Sequence, residues 1–217
     1  MRAVILANGV LSHPVNIEKE DYIIAADGGI ANCLVLGLVP KVVIGDFDSI
    51  QAENLKELEK LGSKTIKFPE RKDETDLELA INHAIETGHE DIVIFAALGE
   101  RWDQTIANIL LPVCHPGINI MIQDGQYEIH YINAGKVLFI NGQPGDIVSL
   151  IPLSSVVCGI YTEGLEYPLS DGTLHFGKTR GVSNRINGNT GRVEIKQGIL
   201  LCTVIHQENL STRDGGE

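Results

Sequence analysis

The sequence predicts two domains of different class: an α/β domain on a mainly parallel sheet with flanking helices, then an all-β sandwich domain. Two patterns and a length carry this. Up to about residue 125, short β-rich runs alternate with segments of helical period, as in strands joined by crossover helices. From about residue 126 to 210, short strands recur between Gly, Pro, Asn and Asp without a long helical pattern. The 217 residues, 43% of them hydrophobic, suffice for one large or two small cores. Residues 211–217 are polar and predict a frayed tail.

In the first domain the expected strands are AVILAN, YIIAADG, KVVIGD, KTIKF, DIVIFAAL and NIMIQD, which form a Rossmann-like sheet if the segments between them are helices. Residues 52–61 carry Leu55, Leu58 and Leu61 at helical spacing and stop at Gly62, a helix-ending residue. Leu77, Ala80, Ile81, Ala84 and Ile85 mark a second apolar face ending before Gly88. Ahead of it, Thr75 and Glu78 fit the S/T-x-x-E capping box. Asp103 is placed to cap a helix that begins near Thr105, and Trp102, the only Trp, reads as core or rim packing. In the second domain the expected strands are YEIHYI, KVLFI, DIVSLIPL, VVCGIYTEG, TLHFG, RVEIKQG and ILLCTVIH.

The net charge of −12 argues against a nucleic-acid backbone binder, whose affinity rests on Lys and Arg. Cys33, Cys114, Cys158 and Cys202 lack C-x-x-C pairing and read as reduced thiols, neither a zinc site nor a disulfide framework. The N-terminal apolar run stops at Asn8, short of a signal-peptide core or a membrane span. A soluble, cytoplasmic protein without a membrane partner is expected.

The unusual polar residues of the first domain fall at carboxyl ends of expected strands, where ligands bind in such sheets. These are Asp27-Gly28-Gly29, Asp46-Phe47-Asp48, the PERKDETD loop, and Gly99 to Thr105. In an extended strand Asp46 and Asp48 would face the same way and Phe47 the other. Two carboxylates so close repel unless a cation lies between them, although Asp-x-Asp-Ser also suits a turn before a helix. Asp27-Gly28-Gly29 is equally open to reading as a tight turn with a glycine at positive φ. Taken together, carboxylates crowded with few bases call for a hard divalent cation, and Mg²⁺ with phosphate oxygens fits. Arg101 supplies a fork for phosphate. Neither G-x-x-x-x-G-K-[ST] nor a G-x-G-x-x-G after the first strand is present.

The segments ADGGIANCLVLGLVPKVVIGDFDSI, KDETDLELAI, GERWDQTIANILL and TRGVSNRINGNTGRVEIKQGILL resemble, in order and spacing, the thiamine pyrophosphokinase family. That resemblance implies pyrophosphoryl transfer from ATP, the co-substrate, to the hydroxyl of thiamine, giving thiamine diphosphate and AMP. It also implies a homodimer with sites shared between chains. The family's Mg²⁺ carboxylates match Asp46, Asp48 and Asp76, with Asp73 a nearby metal or water contact. Arg101 matches the residue that holds ATP phosphates, and Asp103, Thr105 and Asn108 belong to the same motif. Asp27 and Gly28 fall near the nucleotide or thiamine, and Ser183 and Asn184 match a motif that reaches the substrate from the β domain. The resemblance thus makes residues 1–125 the ATP-binding catalytic domain and 126–210 the thiamine-binding domain.

Two departures stand out. Gln104 replaces the His of Asp-His-Thr, and Arg185 replaces the Glu of Ser-Asn-Glu, an acid turned into a base near a cationic substrate. The proton acceptor is open between Asp73 and Asp103. The competing readings are a Mg-dependent phosphohydrolase using the same Asp-x-Asp pair and a non-catalytic nucleotide or thiamine binder.

Overall fold

A computed structural model describes residues 1–11, 13, 15–48, 50 and 52–207. The expected tail at 211–217 lies outside them. The chain divides into two compact units, Met1–Gly125 and Gln126–Glu217.

The first unit contains six strands: β1 (Ala3–Leu6), β2 (Tyr22–Ala26), β3 (Val42–Gly45), β4 (Lys64–Lys67), β5 (Asp91–Phe95) and β6 (Asn119–Asp124). They lie in the order β6-β5-β1-β2-β3-β4, with every adjacent pair parallel. β1 and β3 are buried throughout, as expected of parallel strands covered on both faces. Helices α1 (Gly29–Val35) and α2 (Ala52–Lys60) cover one face, where Ile30, Cys33 and Leu58 join Val4, Leu6, Ala25, Val43 and Phe95. Alternate strand residues such as Ile5, Ile24 and Ile44 are also fully buried and point the other way. Helix α3 (Asp76–Glu86) crosses β1, β2 and β3, burying Leu77, Ala80, Ile81 and Ala84. Helix α4 (Trp102–Leu110) follows β5.

The chain builds β1 to β4 outward in one direction, then returns to place β5 on the other side of β1. The switch between β1 and β5 opens a crevice at the strands' carboxyl ends, the position where such sheets bind ligands.

The second unit is antiparallel throughout. Strands β7 (Tyr127–Asn133), β9 (Ile147–Pro152), β12 (Asn184–Arg185) and β14 (Ile199–Ile205) pair in the order β12-β9-β14-β7. Strands β8 (Val137–Asn141), β10 (Val156–Glu163), β11 (Gly172–His175) and β13 (Thr190–Glu194) form a second sheet, β11-β10-β13-β8. Inward residues of both sheets, among them Ile132, Leu150, Ile160, Val193 and Val204, make one core.

The end of β14 is tied down by a buried carboxylate. Asp146, with 1% side-chain exposure, accepts from the N–H groups of Gln143 (3.0 Å) and Gln207 (2.8 Å) and pairs with His206 Nδ1 at 2.9 Å. His206 Nε2 lies 3.3 Å from Glu128 Oε1, and the other Glu128 oxygen is 2.8 Å from His130 Nε2. Burial alone would lower the His206 pKa, but hydrogen bonding and charge from Asp146 and Glu128 outweigh it, so the net shift is upward. A raised folded-state pKa means that this stabilisation is complete below the unfolded value of about 6.5 and is lost as pH rises through the folded value. The melting temperature should therefore fall by a few degrees more in the native protein than in H206Q as pH goes from about 6 to about 9. Parallel melting profiles for the two proteins would contradict the assignment.

Candidate active site

At the end of β2 the backbone turns through Asp27, which takes φ 42 although it is not glycine. Gly28 itself is at φ −58, so the turn does not need it for a positive φ. The two glycines serve close approach instead: a Cβ on Gly28 would collide with the Asn8 side chain, and one on Gly29 with the carbonyl of Leu6. Removing both side chains lets the β2 loop settle against β1, which aims the Asp27 carboxyl at the loop after β3.

That second loop departs from the extended geometry predicted for it. β3 ends at Gly45, and Phe47 takes φ 62, the left-handed region that costs a bulky residue free energy. Phe47 is 9% exposed and packs with Val43 and Leu58, so burial of its ring offsets the strain. Asp48 N–H donates to Asp46 Oδ1 at 3.0 Å, closing an Asx turn. The two acids are thus neighbours through a turn, not through strand alternation.

The result is a cluster in which one carboxylate oxygen each from Asp27, Asp46 and Asp48 lies within 4.8 Å of the others. Asp27 Oδ1 is buried and has no hydrogen-bond partner. Burial raises the Asp27 pKa, and Asp76, Asp46 and Asp48 raise it further by repulsion.

Asp76 opens α3, where Thr75 Oγ1 caps the helix by accepting from Glu78 N–H at 3.2 Å. Between Asp76 and Asp46 stands the Lys72 ammonium, 3.0 Å from Asp76 Oδ1 and 3.8 Å from Asp46 Oδ2. Asp73, on the same loop, is exposed.

After β5, Ala96 takes φ 54, and Gly9 N–H and Val10 N–H donate to the carbonyls of Ala96 (2.7 Å) and Leu98 (3.2 Å). Thr105 Oγ1 accepts from Gly99 N–H at 3.1 Å, and Asn108, buried, donates to Ala97 O at 2.7 Å. Both side chains hold the β5 loop in place. Helix α4 begins at Trp102 with Arg101 as its N-cap, so Asp103 lies in the first turn and is not the cap. Asp103 pairs with Arg101 at 2.6 Å instead, and that hydrogen bond lowers its pKa. Trp102 is neither core nor rim: it is 76% exposed.

These loops enclose a cavity of about 560 Å³, lined entirely by residues of the first unit. Asp27, Asp46, Asp76, Arg101, Thr105 and Asn108 line it, together with Lys72, Asn8 and Gly9. Its floor is acidic and its rim carries the Arg101 fork.

In the second unit Ser183 takes φ 65, held by its N–H donating to Ser149 Oγ at 3.0 Å. The Asn184 amide is engaged with the Tyr167 backbone, accepting from its N–H at 3.0 Å and donating to its carbonyl at 2.8 Å. It fixes the Tyr167 segment, leaving Ser183 as the strained, exposed member of the pair.

Sequence reasoning placed Asp27 near a substrate but missed its membership in the carboxylate cluster. The adjacency of β2 and β3 in the sheet, not any motif, brings it there. Lys72 was also missed, although its i, i+4 spacing to Asp76 was visible.

A doubly wound sheet with an acidic cluster and an arginine at its switch point has the parts that phosphoryl-group transferases use, a place for a hard cation and a cationic fork for phosphate, without a Walker loop. Residues 15–122 match the family description "Thiamin pyrophosphokinase, catalytic domain" and residues 126–200 match "Thiamin pyrophosphokinase, vitamin B1 binding domain". The chain is 31% identical over 186 residues to the thiamine pyrophosphokinase of Bacillus subtilis, covering 85% of this chain and 87% of that one. It is 28% identical over 184 residues to thiamine pyrophosphokinase 1 of Arabidopsis thaliana, covering 81% and 69%. Among solved structures, the Bacillus subtilis enzyme superposes with a TM-score of 0.85 at 27% identity, over 96% of this chain and all of that one. The Geobacillus thermodenitrificans enzyme gives 0.83 at 26%, over 97% and 99%. The chain belongs to the thiamine pyrophosphokinase family. It is a transferase that moves a pyrophosphoryl group from ATP to thiamine.

Proposed function

We propose that this transfer takes place over the acidic floor of the first unit, with Mg²⁺ held by Asp27, Asp46 and Asp48 and with Asp76 beside it. The observation that carries the reading is the Asp27 carboxyl, which has a buried oxygen without a hydrogen-bond partner and an oxygen within 4.8 Å of two further carboxylates. An all-oxygen, multiply anionic donor set fits a hard cation, whereas without one the three charges repel. When bound, Mg²⁺ would offset the charge that grows on the oxygen bridging to AMP.

The chain's own residues do the rest by positioning. Arg101 lies exposed at the cavity rim, and a solvent-exposed ion pair such as Arg101–Asp103 is weak, so the guanidinium is free to turn to phosphate. Thr105 and Asn108 keep the β5 loop in the shape that frames the nucleotide. The thiamine hydroxyl attacks the β-phosphorus, the bond to the α-phosphate oxygen breaks, and AMP leaves. With Arg101 turned to phosphate, the hydrogen bond that lowers the Asp103 pKa is lost, so the hydroxyl proton has Asp103 and Asp73 as its candidate acceptors. A hydrolase or a pure binder has no support from the family match.

The same proposal includes a homodimer in which Ser183 and Asn184 of the partner subunit complete each site, as the family resemblance implies. It includes a cytoplasmic setting, supported by four unpaired cysteines. Among the described residues no helix is long and apolar enough to cross a membrane.

Asp27→Asn, Asp46→Asn and Asp48→Asn should each lower turnover by about a hundredfold or more, while the metal-free melting temperature stays level or rises as repulsion is relieved. Turnover at the native rate in saturating Mg²⁺ would refute the metal assignment. For the shared site, Asp46→Ala and Asn184→Ala are each expected to be inactive as pure dimers. Random subunit exchange makes about half the dimers mixed, each with one intact site, so about a quarter of native activity should return. Mixed dimers, verified with two affinity tags, that stay inactive would show that each site lies within one chain.

A further inference from the structure

Among the site's carboxylates there is already a cation, Lys72. Its side chain is 10% exposed and its ammonium spans from Asp76 on α3 to Asp46 after β3. It is held chiefly by charge. Among the described residues the Asp76 oxygen it approaches receives no aligned hydrogen bond, and the directed bond of Lys72 to the Pro69 carbonyl is long at 3.4 Å. The ammonium also precedes the first turn of α3, an eleven-residue helix whose positive end favours anions and disfavours cations. A lysine that is weakly tethered, partly buried and lining a cavity at a helix N-terminus is placed for a ligand that brings negative charge.

We infer that Lys72 is a movable counter-ion: without nucleotide it neutralises Asp46 and Asp76, and when metal-bound triphosphate enters, its ammonium passes to a phosphate oxygen. The inference rests on the metal-site reading above. It has two consequences of opposite sign. In the nucleotide-free protein the ammonium opposes a divalent cation at Asp27, Asp46 and Asp48, so removing it strengthens metal binding. With nucleotide present the ammonium is attractive, so removing it weakens nucleotide binding. A lysine that only braced the fold would not move the two affinities in opposite directions.

The test uses the full chain, with Mn²⁺ alone as the metal probe and α,β-methylene-ATP with Mg²⁺ as the nucleotide probe. Free Mn²⁺ is followed by electron paramagnetic resonance and nucleotide binding by calorimetry. Initial slopes replace midpoints where Mn²⁺ binding does not saturate. Lys72→Met should bind Mn²⁺ about tenfold more tightly and the nucleotide about tenfold more weakly than the native protein, as for loss of one nearby charge. Lys72→Gln should give the same pair of shifts and serves if the Met variant misfolds, while Lys72→Arg should stay near the native protein on both. Mn²⁺ binding to Lys72→Met and Lys72→Gln that is unchanged, weaker or undetectable would overturn the inference, as would unchanged nucleotide binding. Asp46→Asn and Asp48→Asn separate the two levels of the reading. If they bind Mn²⁺ as the native protein does, the metal site itself is wrong; if they lose it while the Lys72 variants show no gain, only the counter-ion role fails.

Discussion

Repulsion among carboxylates gathered at the ends of buried strands is the constraint around which the first unit is arranged. Asp27, Asp46 and Asp48 are brought to one edge by buried strands whose apolar residues leave no freedom to splay apart, and Asp76 joins them from the start of α3. The core supplies the free energy that holds them there. Phe47 illustrates the trade: its ring is buried with Val43 and Leu58 while its backbone is strained, and the strain is what turns Asp48 back beside Asp46. Asp27 is likewise strained at a strand end, and the missing side chains of Gly28 and Gly29 allow the approach. Stability is given up locally to concentrate negative charge where, in the proposed function, a cation and a polyphosphate would meet.

The two units solve different problems. The parallel sheet gives a crevice at its switch point and fixed loop ends, which suits a charged nucleotide whose transfer chemistry depends on positioning. In the antiparallel sandwich the polar network around Asp146, His206 and Glu128 serves the fold, fastening the end of β14. In the proposed function the sandwich contributes to substrate binding through loop residues such as Ser183, held at positive φ by Ser149.

Much of this was legible in the sequence. Apolar runs such as DIVIF and ILLCTVI mark strands because most of their residues are buried on the sheet. Thr75 and Glu78 announce the start of α3, since capping is a local interaction between residues three apart. What stayed hidden depended on neighbours distant in sequence. The two-residue β12 looks like loop because only pairing with β9 makes it a strand. The start of α4 was placed too late, since Arg101 rather than Asp103 occupies the cap position and no side-chain bond marks it. Strand alternation explained the Asp46–Asp48 pair wrongly, because the left-handed turn at Phe47 is paid for by tertiary packing that period-two reasoning does not see. Asp27 joined the cluster only through the register of β2 against β3.

The most direct test of the account is diffraction at the manganese absorption edge from crystals grown with Mn²⁺ and α,β-methylene-ATP, whose α–β bridge resists the cleavage that transfer requires. The account predicts an anomalous peak within coordination distance of Asp27, Asp46 and Asp48, in contact with phosphate oxygens. A nucleotide bound with no such peak at these three carboxylates, or a metal bound elsewhere in the chain, would contradict it.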